Sequence, residues 1–136
     1  MASLLHASAG LSFAIGFVDM NKFKRVNDQC GYALGDAVLA ASAQRIASVL
    51  RRDDLLARYG GEEFVLLLAG VASDDEINKR LAAIAARLDS PNALAGERIQ
   101  AGASCGGALY PRDGSTPLQL VEAADARMFE MKKTCG

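Results

Sequence analysis

Apolar and polar positions follow two rhythms along this chain, one suited to strands and one to helices. Residues 12–18, SFAIGFV, form an almost unbroken apolar run, which predicts a buried strand ending at Asp19. Phe23, Val26 and Cys30 then fall at helical spacing, with Gly31 as the helix stop. Between residues 36 and 51, Val38, Leu39, Ser42, Ile46, Val49 and Leu50 share one face of a long helix. Strand-like runs at 55–59 and 64–68 flank Gly60-Gly61, which predicts a hairpin. Ser73-Asp74-Asp75-Glu76 has the form of a capping box, and Ile77, Leu81, Ile84 and Leu88 continue as a helical stripe. Residues 97–110 predict one or two strands, interrupted at Gly106-Gly107. Thr116-Pro117-Leu118-Gln119 opens a last helix with a second capping-box pattern and proline at the first helical position. The predicted order is β-α-α-β-β-α-β-β-α. Hairpin-linked strands mixed with helices imply an α+β sandwich rather than a doubly wound parallel sheet.

No repeat, low-complexity segment or linker divides the 136 residues, so residues 1–136 are expected to form one domain. A chain of this size buries roughly two thirds of its unfolded surface. Lys plus Arg number 15 and Asp plus Glu 16, giving a net charge of −1. That balance offers no field for a nucleic-acid polymer or an anionic membrane, so any anionic ligand must be held by a local site. Cys30, Cys105 and Cys135 are widely spaced with no C-x-x-C pattern, which suggests free thiols in a reducing compartment. No apolar run approaches the roughly 18 residues of a membrane span. Met1-Ala2-Ser3 has no basic character of a secretory signal, and the cytoplasm is the expected location.

Candidate chemistry is acidic. Asp19 lies where a hydrophobic strand gives way to a helix, a junction whose free N–H groups favour phosphate. A carboxylate there suits a divalent metal that in turn holds phosphate, or simply caps the helix. Gly60-Gly61 permits a tight turn, and Glu62 and Glu63 follow it directly before an apolar strand. Successive strand residues point to opposite faces, so one carboxylate should enter a site while the other braces the loop. The alternative is a solvated hairpin tip.

Tyr59-Gly60-Gly61-Glu62-Glu63-Phe64 resembles the signature of the GGDEF family of diguanylate cyclases, in its GGEEF form. Further segments match in order. The stretch from Val18-Asp19-Met20-Asn21-Lys22-Phe23-Lys24 to Asn27-Asp28 is similar to the family's LDIDHFKxIND. Gly31-Tyr32-Ala33-Leu34-Gly35-Asp36 is similar to GHxxGD, and Ser104-Cys105-Gly106-Gly107-Ala108 to SIGVA. Residues 124–132 are similar to the helix ADxALYxAK. The resemblance covers about residues 12 to 136. It implies a mixed, mostly antiparallel sheet of about five strands flanked by helices, like the nucleotide-cyclase and polymerase palm.

The resemblance further implies a cyclase that condenses two GTP into cyclic di-GMP. Asp19, Glu62 and the Met20 carbonyl would hold Mg2+, with Mn2+ as a substitute, and Glu62 would help deprotonate the attacking 3′-hydroxyl. Glu63 takes a supporting role. Asn27 and Asp36 would read guanine, beside Tyr32; otherwise they are helix-end residues. Lys22 and Phe23, through backbone N–H groups, and Lys24 and Lys132 would bind phosphates. Arg51 and Asp54 match the family's RxxD inhibitory site for cyclic di-GMP; otherwise they form surface ion pairs worth under about 1 kcal/mol. Two identical linkages in the product imply a homodimer with twofold symmetry. Regulatory domains are expected outside this chain, which belongs in the cytoplasm even if a membrane anchor lies elsewhere.

Four features depart from the family pattern. The family's opening DxLTGLxNRR segment is missing, and the sequence stops at Gly136 before a phosphate-binding arginine, so the domain is expected to be trimmed at both ends. Tyr32 replaces a histidine, and Asn21 the second aspartate of DxD. The rival expectation is a silent domain that binds GTP or cyclic di-GMP without turnover.

Overall fold

The computed structural model describes residues 12–20, 31–89, 92–94, 97–99 and 103–135. The apolar run at the start forms β1 (Phe13–Met20), buried at every position. Its side chains alternate between two cores. Phe13, Ile15 and Phe17 enter one, and Ala14, Val18 and Met20 the other. That double burial makes β1 an inner strand, flanked by β3 (Glu63–Ala69) and β6 (Ala103–Tyr110). β2 (Leu55–Arg58) adds to the far side of β3, and every pairing is antiparallel. β4 (Asn92–Leu94) and β5 (Glu97–Ile99) form a separate hairpin. Among the described residues, then, the main sheet has four strands, all antiparallel.

Among the described residues three helices cover it. α1 (Tyr32–Val49) and α2 (Asp74–Asp89) pack on one face through Val38, Leu39, Ile46, Ile77, Leu81 and Ile84, against Phe64, Leu66 and Leu68. α3 (Pro117–Cys135) covers the other through Leu120, Val121, Ala124 and Met128, against Phe17, Val65 and Leu67. α1 starts four residues earlier than its apolar stripe indicates. Its first turn is exposed at Ala33 and Asp36, so hydrophobicity does not mark it; Gly31, at φ 88°, precedes it. The predicted helix over residues 23–30 lies outside the described residues.

The expected interruption at Gly106-Gly107 does not occur. β6 runs straight through, because the two glycines let helices approach it from both sides. A Cβ on Gly106 would lie 2.2 Å from the Met128 nitrogen and 2.3 Å from the Ala124 carbonyl oxygen of α3. On Gly107 it would lie 2.4 Å from Ile77 Cγ2 of α2.

Side chains from α3 and from the turn between β6 and α3 bond the outer edge of β6. The Cys105 N–H donates to Met131 Sδ at 3.4 Å, Arg127 donates to the Gly107 carbonyl at 2.6 Å, and Leu109 N–H donates to Asp113 Oδ2 at 2.7 Å. Asp113 also receives both Arg112 and Arg127, and Arg112 reaches across to Asp74 at the start of α2. These guanidinium groups hold the Asp113 carboxyl far below the usual carboxylate range, Arg112 contributing most and Arg127 next. Ser73 and Thr116 cap α2 and α3, accepting the N–H groups of Glu76 and Gln119. No helix of the described residues is long and apolar enough to cross a membrane.

Candidate active site

Register decides which polar residues meet at one end of the sheet. Asp19 pairs with Glu63 on β3 and with Ser104 on β6. Cross-strand partners share a face and stand about 5 Å apart at Cβ, so these three form one row. Strand alternation places that row on the α3 side, in line with Phe17 and Val65. Asp19 and Ser104 are buried, at 8% and 1% exposure.

Glu62 precedes the row, in the bend before β3. Its carbonyl accepts the Met20 N–H at 3.0 Å, which ties the bend to the end of β1. Its carboxylate is half-buried and makes no hydrogen bond or ion pair among the described residues. Glu63 behaves differently. Its carbonyl accepts the N–H groups of Tyr59 and Gly60 at 2.8 and 3.3 Å, and its carboxylate lies over Gly60. A Cβ on Gly60 would sit 2.2 Å from Glu63 Oε1, so a side chain there would displace the glutamate. Arg58 completes the turn, donating from Nε to the Gly60 carbonyl at 3.2 Å and from Nη2 to the Gly61 carbonyl at 2.8 Å. The Tyr59 ring meets Phe17 edge-on at 5.5 Å.

Asp36 lies in the first two turns of α1, exposed at a cavity of about 300 Å³. Leu39, Leu56, Phe64 and the Arg58 side chain line it as well. Apolar walls with one carboxylate suit a planar base that presents hydrogen-bond donors.

Arg51 and Asp54 stand at the turn between α1 and β2. Arg51 is exposed, whereas the Asp54 side chain is 0% exposed. The Asp54 oxygens accept the Ala69 N–H at 2.8 Å and the Arg51 N–H at 2.7 Å, and Oδ2 pairs with Arg80 of α2. Asp54, matched with Arg51 to the inhibitory site by sequence, thus has both oxygens engaged within the chain. Arg80 Nη1 is buried with no hydrogen-bond partner among the described residues.

Lys22, Phe23, Lys24 and Asn27 lie outside the described residues, as do the side chains of Tyr32 and Lys132. Lys132 stands in the last turn of α3, four residues after Met128. Sequence reading passed over Arg58, Arg80 and Ser104. Arg58 sits two residues before Gly60 and could have been suspected as a turn clamp. Arg80 reaches a partner 26 residues away, and Ser104 meets Asp19 through strand register alone; neither leaves a local pattern.

The donor set suits a hard divalent cation. Among the described residues no group of three or more His, Cys, Asp and Glu side chains converges. Mg2+ needs only one or two carboxylates when substrate oxygens and water complete its shell. Asp19 and Glu62 meet that requirement in residue type, and the bond from Met20 N–H to the Glu62 carbonyl ties their two segments together.

An acidic sheet end beside a base-sized cavity is a layout that suits a nucleotide. The chain matches the family model described as Diguanylate cyclase, GGDEF domain over residues 2–136, and it belongs to that family. It is 40% identical over 121 residues to diguanylate cyclase TpbB of Pseudomonas aeruginosa, covering 88% of this chain and 28% of that protein. To cyclic di-GMP phosphodiesterase NbdA of the same organism it is 36% identical over 127 residues, 93% of this chain and 16% of NbdA. It thus spans less than a third of these relatives. Among solved structures it resembles the GGDEF domain of TpbB, at 36% identity and TM-score 0.91, covering 97% of this chain and 84% of that one. It also resembles the GGDEF domain of DgcB from Caulobacter crescentus in complex with c-di-GMP, at 25% identity and TM-score 0.82, covering 98% and 79%.

Proposed function

We propose that this chain is the catalytic domain of a diguanylate cyclase, converting two GTP into cyclic di-GMP and two pyrophosphates. The observation that carries the reading is the tie between the two acidic segments. The Met20 N–H bonds the Glu62 carbonyl, so Asp19 and the carboxylate of Glu62, which has no bond among the described residues, flank one junction.

In each half-reaction the 3′-oxygen of one GTP bonds to the α-phosphorus of the other, and the bond to pyrophosphate breaks. Glu62 accepts the hydroxyl proton. Bound Mg2+, or Mn2+ in its place, would neutralise phosphate charge and acidify the attacking hydroxyl. Asp19, Glu62 and the Met20 carbonyl would hold it, while Glu63 stays committed to the turn. Asp36 accepts the N1–H and N2–H₂ donors of guanine, with Asn27 and Tyr32 beside it. Adenine would oppose an acceptor to that carboxylate. Backbone N–H groups of Lys22 and Phe23 and the side chains of Lys24 and Lys132 take the phosphates. GTP supply places the reaction in the cytoplasm, with regulatory domains in the remainder of a longer protein.

Incubation with GTP and Mg2+, followed by chromatography of the nucleotides, tests the reading. Cyclic di-GMP with pyrophosphate supports it; intact GTP rejects it. Asp36→Ala should raise the GTP KM and admit other purines. The symmetric product calls for two copies related by a twofold axis, so specific activity should rise with concentration at the dilute end.

The product would also act as an inhibitor. With Asp54 committed internally, the exposed Arg51 supplies donors for guanine O6 and N7 or for phosphate. Arg51→Ala should relieve product inhibition, and unchanged inhibition would remove this site. The likeness to a phosphodiesterase, NbdA, favours one other reading, a silent GTP- or cyclic di-GMP-binding module; GTP bound but unconsumed would select it.

A further inference from the structure

The Gly60–Glu63 turn is held by more hydrogen bonds than its sequence requires. Gly residues at the tip of a hairpin ordinarily leave their carbonyls to water. Here all four successive carbonyls are bonded. Arg58 takes Gly60 and Gly61, the Met20 N–H takes Glu62, and the N–H groups of Tyr59 and Gly60 take Glu63. Three of these anchors are main-chain groups at or just beyond the ends of β1 and β2. Arg58 is the only side chain among them, and it is exposed, so it serves no core.

Its stem has a second surface to line, the cavity that Asp36 faces. A single residue therefore touches both the base-sized cavity and the loop that carries Glu62. Glycines have the widest conformational freedom of any residue, so two in succession would otherwise let the Glu62 backbone wander. A displacement of about 1 Å at a reacting group can lower a rate by about 100-fold. The planar guanidinium fork fixes two carbonyls at once, which an ammonium, as a point charge, cannot do.

We infer that Arg58 is a positioning residue: its guanidinium locks the Gly60-Gly61 carbonyls and so sets where Glu62 stands relative to Asp19. The inference rests on the cyclase reading for its kinetic arm but not for its structural arm. The variant of choice is Arg58→Met, which keeps the apolar stem along the cavity and deletes the fork.

Hydrogen exchange supplies the structural arm. The amides of Met20, Tyr59 and Gly60 donate to the Glu62 and Glu63 carbonyls, so they report the turn directly. In Arg58→Met they should exchange at least about tenfold faster, with the β1 amides of residues 13–18 unchanged. In the kinetic arm kcat should fall about 10- to 100-fold while the GTP KM stays within about threefold. Arg58→Lys should fall between, and guanidinium ion added to Arg58→Met should restore part of kcat.

Unchanged exchange at those three amides would overturn the inference, whatever the activity. So would a KM rise that accounts for the whole loss, because Arg58 would then act on substrate. If the wild-type protein turns over no GTP, the cyclase reading fails and the exchange arm alone decides the role of Arg58.

Discussion

The two ends of the central sheet use charge in opposite ways. At one end Asp113 gathers Arg112, Arg127 and the Leu109 N–H, and Arg112 extends the cluster to Asp74. Every charge there is spent on another, and the cluster fastens α2 and α3 to the tip of β6. At the other end the fastening is done by main-chain groups and by Arg58, and the Glu62 carboxylate makes no bond among the described residues. An ion cluster lets a carboxylate contribute to stability; a backbone-held turn keeps a carboxylate available for a ligand. Similar residues thus serve stability at one end and candidate chemistry at the other.

Four experiments would break or sharpen that contrast. Glu62→Gln should lower cyclic di-GMP formation by about 10³-fold or more and leave the melting temperature within about 2 °C, because among the described residues the carboxylate makes no hydrogen bond or ion pair. A large loss of stability would show that the glutamate is a fastener after all. Gly106→Ala, between the two ends, should destabilise by about 3 kcal/mol in urea titration, since the new Cβ meets helix backbone rather than a yielding side chain.

Asp113→Ala should cost about 2 kcal/mol and leave kcat unchanged. The sign of its pH dependence follows from a carboxyl held below its ordinary value. Its contribution is complete above about pH 4 and is lost as pH falls below that, and Asp113→Asn should lose this acid dependence in denaturation curves at pH 7 and pH 3. The smallest effect concerns Cys105, whose thiol is pushed up to about 12 by burial. That group favours the folded state fully below about pH 8.5 and less as pH rises beyond it. Peptide mapping after mild thiol alkylation at pH 8 should find Cys105 unmodified until urea unfolds the chain.

Much of this architecture can be read from the chain, for identifiable reasons. An apolar run as dense as residues 12–18 has no stable place except an inner strand, and two capping boxes mark α2 and α3 because their side chains close on their own backbones. Local patterns mislead at Gly106-Gly107, where glycine reflects helix approach instead of a break, and at the start of α1, where an exposed first turn carries no apolar signal. At the site, the GGEEF motif locates the acidic turn. The commitment of Asp54 to Ala69, Arg51 and Arg80, and the position of Ser104 beside Asp19, depend on register and packing between distant segments.

The trimmed border of β6 has a consequence for assembly. With Met131, Arg127 and Asp113 engaging the Cys105 N–H, the Gly107 carbonyl and the Leu109 N–H, those groups are not offered to a second molecule for strand addition. Strand addition is disfavoured on that flank, so a copy approaching β6 from outside would meet side chains, where contact can be made and undone without rebuilding a ladder.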